Sequence, residues 1–271
     1  MKHQADVVII GGGIIGTACA YYLCQTELAV HLIERRFPAS GTSRACDGLI
    51  LLWDKMPGAE LSLGQASSAL WAELAQTLAL DFEYERRGTI MLAESAEGLA
   101  QSQTKAETLR ATGVRAETLD RLALQSLEPS LAPDIAGGVF FPDDAQVDAR
   151  HATLAMLSAA QAHGLTLHTH AEVLDIQRTS NGDWPVYKVI TRDGEIATER
   201  LVCAAGVWSN AIAQMVNVQL PLRPRKGHLL VTTRVPGMIH HPLLEGGYVS
   251  TVQSASEDLQ VALVAEPKYD G

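Results

Sequence analysis

The sequence has few cysteines and no long hydrophobic run, and each shortage excludes a class of protein. Four cysteines stand among its 271 residues. They are too few for a disulfide scaffold, and no pair has the spacing of a metal knuckle. A reducing cytoplasm is therefore the expected compartment. No uninterrupted apolar stretch is long enough to cross a bilayer, and glycines break the N-terminal apolar run where a signal peptide would be continuous.

Positive charge is also scarce. The 31 acidic residues outnumber the 21 basic ones, which gives a formal net charge of -10. Nucleic acid requires a basic face for its phosphate backbone, and an anionic membrane attracts polybasic segments. We therefore expect neither as a partner. The 47% hydrophobic and 19% charged content instead fits a globular protein with a sizeable core.

Several catalytic and metal-binding motifs are missing. The chain has neither a GxSxG elbow nor a P-loop. His168 and His170 lie two apart on a predicted strand and could share a metal, but no third ligand is evident, so exposed strand histidines are the better interpretation. Asp143, Asp144 and Asp148 lack the spacing of an EF-hand loop. No metal site is predicted.

A glycine run near the start is the strongest signal that is present. The apolar run 6–10 leads into Gly11, Gly13 and Gly16, then into an apolar helix and a second strand that ends in Glu34. In a dinucleotide-binding βαβ unit, the first glycine makes the turn, the second lets the backbone approach a pyrophosphate and the third lets the helix pack on the strand. Glu34 stands where a ribose needs an acceptor. A glycine-rich turn without a ligand is the alternative, which three glycines make costly in backbone entropy.

Hydrophobic periodicity predicts the remaining elements. Helices are expected at 14–25, 42–45, 61–80, 96–112, 120–128, 151–163 and up to 215, and strands at 6–10, 29–34, within 82–93, 135–141, 165–178, 187–191, 195–198, 201–205, 229–233, 248–252 and 259–265. The helix 61–80 is expected to be amphipathic, with Leu63, Leu70 and Leu74 near helical spacing.

This order predicts an α/β fold with two interleaved domains. A Rossmann-like dinucleotide-binding domain with a parallel central sheet is expected from 1–82 and 147–220. A substrate domain with a mixed or antiparallel sheet is expected from 83–146 and 221–271.

Two segments separate flavin from nicotinamide as the cofactor. The loop 40–48 offers hydroxyls and backbone N–H groups at a helix start, suited to a second contact with a pyrophosphate. Small residues at 204–206 follow a buried strand and permit close approach of a ligand. Arg35 and Arg36 could instead hold the 2′-phosphate of NADP, but the Glu34 carboxylate would repel it.

At these residues the chain resembles the FAD-dependent amino acid oxidases of the glycine oxidase and D-amino acid oxidase type. The segments 41–48 and 54–58 are most similar to the β subunits of opine oxidases and the catalytic chain of hydrogen cyanide synthase. The resemblance covers essentially the whole chain and is weaker from Arg223 onward.

The resemblance implies noncovalent FAD and a set of residues around it. The pyrophosphate is implied to lie on the glycine loop, and the adenosine ribose at Glu34 with Arg35 beside it. The adenine is implied to meet the backbone of Val173. An ordinary valine in a strand is an equally good interpretation of Val173. The loop after the second strand runs toward the flavin, and a strand-end motif lies beside it. The complete set is Gly11, Gly13, Ile14, Ile15, Gly16, Glu34, Arg35, Thr42, Ser43, Ala45, Cys46, Asp47, Gly48, Val173, Ala205, Gly206 and Trp208. Cys46 is expected to be a small buried hydrophobe, without a covalent flavin bond.

The family's chemistry implies oxidation of a C–N bond by hydride transfer to the flavin. Tyr248 falls near the family's substrate-facing tyrosine, and His228 could approach the flavin. A strand tyrosine and a hydrogen-bonded strand-end histidine are the plain alternatives. The arginine that pairs with the substrate carboxylate, and a closing glycine-rich segment, lie beyond Gly271 in the family, so this chain is expected to lack the C-terminal part.

The sequence therefore predicts an FAD-dependent oxidoreductase for an amino acid, a secondary amine or an opine. Other subunits of a hetero-oligomeric oxidase are its expected partners. The alternatives are a truncated, inactive FAD-binding or assembly subunit and, less favoured by the loop 40–48, a nicotinamide-linked enzyme.

Overall fold

The computed structural model describes residues 2–181, 184–247 and 263–268. The strands in chain order are β1 Lys2–Ile10, β2 Val30–Ile33, β3 Leu49–Ile50, β4 Thr89–Ala93, β5 Glu117–Asp120, β6 Gly137–Phe141, β7 Ala145–Gln146, β8 Thr166–His168, β9 Val173–Asn181, β10 Trp184–Thr191, β11 Gly194–Cys203, β12 Leu243–Glu245 and β13 Val264–Ala265. The α-helices are α1 Ile14–Leu23, α2 Ala59–Thr77, α3 Ala96–Arg110, α4 Arg121–Leu127, α5 Ala149–Ala162 and α6 Ser209–Gln214, and short 3-10 helices cover Thr42–Arg44 and Gly206–Trp208.

Several helices begin at a side chain that satisfies a free backbone N–H. Ser95 accepts the N–H of Gly98 before α3, Asp120 accepts that of Ala123 before α4, and Asp148 accepts that of His151 before α5. Such N-caps compensate donors that have no partner within the helix.

No helix in the described ranges is long and apolar enough to cross a membrane.

The described residues form two compact units. The first is drawn from Met1–Cys46, Thr77–Phe82 and Asp148–Leu229, and the second from Asp47–Gln76, Glu83–Val147 and Leu230–Gly271. This division departs from the predicted boundaries at 47–76, which the sequence assigned to the dinucleotide-binding domain. The physical reason is packing, since Leu52 and Trp53 share a core with Phe141.

The first unit contains a six-stranded sheet in the order β8-β2-β1-β11-β10-β9. Strands β8, β2, β1 and β11 run parallel, and β10 and β9 continue the sheet antiparallel. Strand β1 lies between β2 on one side and β11 on the other. The strand order therefore reverses at β1, which makes its carboxyl end a topological switch point. Ligands of open α/β sheets bind at such points. The predicted Rossmann-like α/β fold is confirmed.

Residues 7–10 of β1 are buried on both faces, as expected of a central parallel strand. Val7 and Ile9 point into a core with α1 and α5 residues such as Ala20 and Leu157. Val8 and Ile10 point to the other face, into a core with β9 to β11. This alternation follows the two-residue repeat of a strand.

The second unit contains a five-stranded sheet in the order β13-β12-β4-β6-β5 and a small pair, β3 with β7. Only β12 and β4 pair in parallel among these described strands. The core of the unit contains Trp53 and Phe141 with ring centroids 5.8 Å apart. The mixed sheet agrees with the expected character of the second domain.

Three predicted details are wrong. The residues 229–233 form no strand, and Leu230 and Val231 are 93% and 96% exposed, because no described strand pairs with this segment. The helix α2 buries Leu61 and Leu74 but exposes Leu63, so the predicted apolar face is rotated. Within 82–87 only an isolated bridge at Glu85 is formed. The predicted strand 248–252 lies outside the described residues.

Candidate functional site

The glycine loop at the switch point is held against the end of β11. Gly11 has φ +115°, and a Cβ at this position would lie 2.3 Å from the carbonyl oxygen of Ala204. A Cβ on Gly16 would lie 1.9 Å from the carbonyl oxygen of Gly11. Both contacts are with backbone, which cannot move aside. The turn and the helix–strand contact therefore require glycine at these two positions.

The first turn of α1 is open toward a ligand and contacts the loop after β2. The N–H of Ile14 donates to Ser43 Oγ at 2.9 Å, and a Cβ on Gly13 would lie 3.2 Å from the same oxygen. No side chain caps Gly13. Ile15 is 64% exposed, and the N–H groups of Ile15 and Gly16 have no acceptor within the helix. Together with the helix dipole they form a site for an anion.

Glu34 lies over the glycine loop. Its Oε2 accepts the N–H of Gly12 at 2.8 Å, and its Oε1 accepts the N–H of Arg36 at 2.8 Å. The carboxylate is therefore fixed by backbone donors and keeps free lone pairs. A Cβ on Gly12 would contact the Glu34 side chain at 3.1 Å, so the loop and the acid are in direct contact.

Arg35 stacks on Trp208. The guanidinium carbon lies 3.7 Å from the centroid of the indole ring, well within the range of a cation–π interaction. Trp208 ends the 3-10 helix after β11 and is 45% exposed. The ends of β2 and β11, which flank β1, thus carry a joined pair of side chains.

The rest of the loop after β2 divides between the two units. Thr42, Ala45 and Cys46 are exposed, and Ser43 is buried. The expectation that Cys46 is a buried hydrophobe is wrong, because the loop holds it at the surface. Asp47 and Gly48 belong to the second unit, where Asp47 Oδ1 accepts the N–H of Gly48 at 2.8 Å.

Residues predicted near the adenine and the strand end lie in the first unit. Val173 is the first residue of β9, and its side chain is buried in the core, which also fits an ordinary strand valine. Ala205 follows β11, with its N–H beside Gly11, and Gly206 has φ +56°. The prediction that 201–205 is a buried strand is wrong in its burial, since Cys203 is exposed and the other four residues are half-buried.

Of the two candidate catalytic residues, only His228 lies among the described residues. His228 lies exposed in an irregular segment. Tyr248 lies outside the described residues. Their roles stay predictions.

The predicted histidine pair is replaced by another. Strand β8 ends at His168, and His170 lies beyond it with φ 55°, so the two do not share a strand face. His168 Nε2 instead lies 3.1 Å from Nδ1 of His31 on the neighbouring β2. His168 is half-buried, which also departs from the expected exposed strand histidines.

Sequence reasoning missed two buried carboxylates in the second unit. Asp144 accepts the N–H of Leu52 at 2.9 Å and the hydroxyl of Thr89 at 2.5 Å. Burial raises the pKa of Asp144 to about 7, against the lowering effect of these two donors. Its neighbour Asp143 differs, since the Arg115 guanidinium holds the pKa of that carboxyl below its usual range. Their only sequence signal is an Asp-Asp pair after a strand.

Glu128 is the second missed carboxylate. It is fully buried and accepts the N–H groups of His240 and His241, the latter at 2.7 Å from Oε1. The Nδ1 atom of His241 lies 2.7 Å from the same oxygen. The carboxylate therefore anchors the segment that enters β12. Its position at the end of a short helix before Pro129 gave no sign of this contact.

Comparison with known proteins identifies relatives along most of the chain. The protein-family model described as FAD dependent oxidoreductase (DAO) matches residues 6–261. Glycine oxidase of Geobacillus kaustophilus is 30% identical over 244 residues, which are 87% of this chain and 64% of that protein. Human sarcosine dehydrogenase is 28% identical, over 89% of this chain and 27% of that protein.

A solved structure agrees with these matches. The crystal structure of glycine oxidase from Geobacillus kaustophilus superposes with a TM-score of 0.78 at 25% identity, over 90% of this chain and 66% of that chain. The chain thus spans about two thirds or less of the length of these relatives.

Proposed function

This chain belongs to the FAD-dependent oxidoreductase (DAO) family, and on that premise we propose that it oxidises a C–N bond of an amino acid or a secondary amine. Its cofactor is FAD. When bound, FAD supplies the acceptor for the hydride that leaves the carbon beside the nitrogen. The protein's own part is to bind and orient the cofactor and the substrate.

The single observation that carries the proposal is the glycine loop at the switch point with Glu34 fixed over it. The residues present fit the ADP half of FAD, because Gly11 and Gly16 have no room for a side chain and the first turn of α1 offers N–H groups to an anion. We propose that the following residues hold FAD: Gly11, Gly13, Ile14, Ile15, Gly16, Glu34, Arg35, Thr42, Ser43, Ala45, Cys46, Asp47, Gly48, Val173, Ala205, Gly206 and Trp208.

Two relatives support a substrate class. One is named a glycine oxidase and another a sarcosine dehydrogenase, which supports a small amino acid or N-alkylated amino acid, with an opine as a larger variant. Tyr248 and His228 remain the candidate catalytic residues. Work with other subunits, and in a reducing cytoplasm, stays a prediction.

Anaerobic reduction tests the proposal. The purified chain is loaded with FAD and mixed, without oxygen, with glycine, N-methylglycine, D- and L-amino acids and an opine. We expect one class to abolish the visible absorption of the oxidised flavin, with release of a carbonyl compound and an amine. Free FAD with the same compounds is the control. A loaded chain that stays oxidised with every compound would contradict the proposal and support the alternative, a subunit that binds FAD without catalysis.

A further inference from the structure

The guanidinium of Arg35 is held by an aromatic ring and not by an acid. Its central carbon lies 3.7 Å from the ring centroid of Trp208. An arginine in this position is attracted by the electron-rich face of the ring, while its N–H donors point outward around the edge of the guanidinium plane. The stacking therefore fixes the group without using its hydrogen bonds.

Trp208 is fixed from a different part of the chain. The backbone N–H of Trp208 donates to the carbonyl oxygen of Ala205 at 3.1 Å, at the 3-10 helix after β11. A Cβ on Gly41 would lie 3.8 Å from Cζ3 of the ring, which is ordinary contact distance, so the loop after β2 packs beside the indole. The ring thus joins the loops that follow β2 and β11.

Arg35 has no acidic partner among the residues that the structure describes. The neighbouring carboxylate of Glu34 is held by the N–H groups of Gly12 and Arg36. The ion pairs between lysine or arginine and acids in the described part of the first unit join other residues, namely Lys188 with Glu195, Arg192 with Glu172 and Arg200 with Glu199. A guanidinium with five donors is therefore left for a ligand.

The position of the pair indicates which ligand this is. Strands β2 and β11 lie on either side of β1, so the pair stands beside the switch point, where the glycine loop and the first turn of α1 offer backbone N–H groups to an anion. A pyrophosphate there carries negative charge that these neutral donors only partly offset. A planar guanidinium can pair with phosphate oxygens in a bidentate manner.

We propose that Trp208 is a positioning residue that holds the Arg35 guanidinium for the pyrophosphate of FAD. The inference rests on FAD as the cofactor and not on the oxidation of a C–N bond. Neither side chain needs to contact the substrate, so binding alone tests it.

The test is a double-mutant cycle on ligand binding to the full chain. Affinities for FAD and ADP are measured by calorimetry for the wild type, Arg35→Ala, Trp208→Leu and the double variant. We expect each single change to weaken both ligands about tenfold, as the loss of one charge-assisted contact would. The double variant should bind these ligands at most about twofold more weakly than Arg35→Ala does, because Trp208 acts through Arg35. Trp208→Phe, which keeps an aromatic face, should restore most of the affinity.

Matched variants and ligands separate this role from general charge or folding. Arg36→Ala removes the same charge from the neighbouring residue, whose side chain is also exposed, and should leave ADP affinity within about twofold of the wild type. Adenosine, which has no phosphate, should lose much less affinity than ADP in every variant. Circular dichroism and urea unfolding check that each variant is folded. If Trp208→Leu does not fold, the affinities of Trp208→Phe and Arg35→Lys are compared instead.

Several results would overturn the inference. These are wild-type affinity in folded Trp208→Leu, additive losses in the double variant, an equal loss for adenosine and ADP, and a wild-type chain that binds neither FAD nor ADP. Failure of the flavin to be reduced by amines, with the binding cycle intact, would instead contradict only the proposed reaction.

Discussion

The carboxylate of Asp144 accepts the backbone N–H of Leu52, 92 residues away in the sequence, at 2.9 Å. It also accepts the hydroxyl of Thr89 on β4. One buried side chain therefore joins the segment before α2 to the five-stranded sheet of the second unit. This contact, together with the packing of Trp53, explains why 47–76 belongs to that unit.

The first prediction concerns the pH dependence of stability at Asp144. Burial raises the folded-state pKa to about 7 from 3.8, so between these values the folded chain binds more protons than the unfolded chain. The free energy of unfolding should therefore fall as pH rises from about 4 to about 7, by at most about 1.4 kcal/mol per pH unit from this group. Urea unfolding across this range measures the slope.

Asparagine at the same position provides the decisive comparison. Asp144→Asn keeps an acceptor for the Leu52 N–H and offers a donor to the Thr89 hydroxyl, but it cannot ionise. We expect it to match the wild type near pH 5 and to be more stable near pH 8. Asp143→Asn is the control, since the Arg115 guanidinium lowers the pKa of Asp143 and places its titration below this range. Equal slopes in the wild type and Asp144→Asn would refute the assignment.

The second prediction concerns Glu128. Replacing it by alanine leaves the N–H groups of His240 and His241 without their buried acceptor. A hydrogen bond to a charged group contributes about 1.5–3 kcal/mol, so the loss of both bonds in Glu128→Ala should lower the free energy of unfolding by about 3 kcal/mol or more. Glu128→Gln, which keeps one acceptor oxygen, should lose about half as much.

Glu107→Ala is the matched control for Glu128. Glu107 is an exposed acid of α3 in the same unit, and its replacement should change stability by no more than about 0.5 kcal/mol. Urea unfolding followed by circular dichroism measures all three variants. Similar losses for Glu107→Ala and Glu128→Ala would show that the buried carboxylate has no special role.

How much of the fold can be predicted from the sequence depends on how far apart in sequence the interacting residues lie. The βαβ unit from β1 to Glu34 was predictable because each of its parts is local: apolar runs, glycines and an acid at fixed spacing. The strand predicted at 229–233 does not form, because its β-branched and apolar residues favour a strand but a strand also needs a neighbour to pair with. The face of α2 was misassigned because Leu61 and Leu63 lie on nearly opposite sides of the helix, and tertiary packing decides which side is buried.

The roles of single residues follow the same rule. Ser43 was found through its place in a loop motif, but its contact with the N–H of Ile14, 29 residues away, is visible only in the fold. The stacking of Arg35 on Trp208 spans 173 residues of sequence, and no periodicity connects the two. Partners that distant in sequence come together only through the order of the strands.

The third prediction concerns Gly16. A Cβ there would lie 1.9 Å from the carbonyl oxygen of Gly11, and both belong to packed backbone. Gly16→Ala should lower the free energy of unfolding by about 2–3 kcal/mol, as overpacking does, and abolish measurable FAD binding. Gly64→Ala in α2 is the control, because its Cβ would meet Lys55 Cγ at 3.4 Å and Leu52 Cδ2 at 3.5 Å, ordinary contact distances. It should keep FAD and gain up to about 1 kcal/mol from helix propensity. An FAD-replete, fully stable Gly16→Ala would contradict the close packing.

The fourth prediction tests the choice of cofactor at Glu34. Glutamine at this position replaces a charged acceptor by a neutral one and brings an amide donor near the N–H of Gly12 or Arg36. We therefore expect Glu34→Gln to weaken FAD and adenosine about tenfold, which corresponds to about 1.4 kcal/mol. Binding of NADP should not weaken, since the carboxylate repels a 2′-phosphate and glutamine does not. Glu27→Gln, at an exposed acid before β2, should bind every ligand as the wild type does. If Glu34→Gln keeps full affinity for FAD and adenosine, the carboxylate does not hold the ribose. If the wild type prefers NADP to FAD, Arg35 and Arg36 form the phosphate site that the Glu34 carboxylate was expected to prevent.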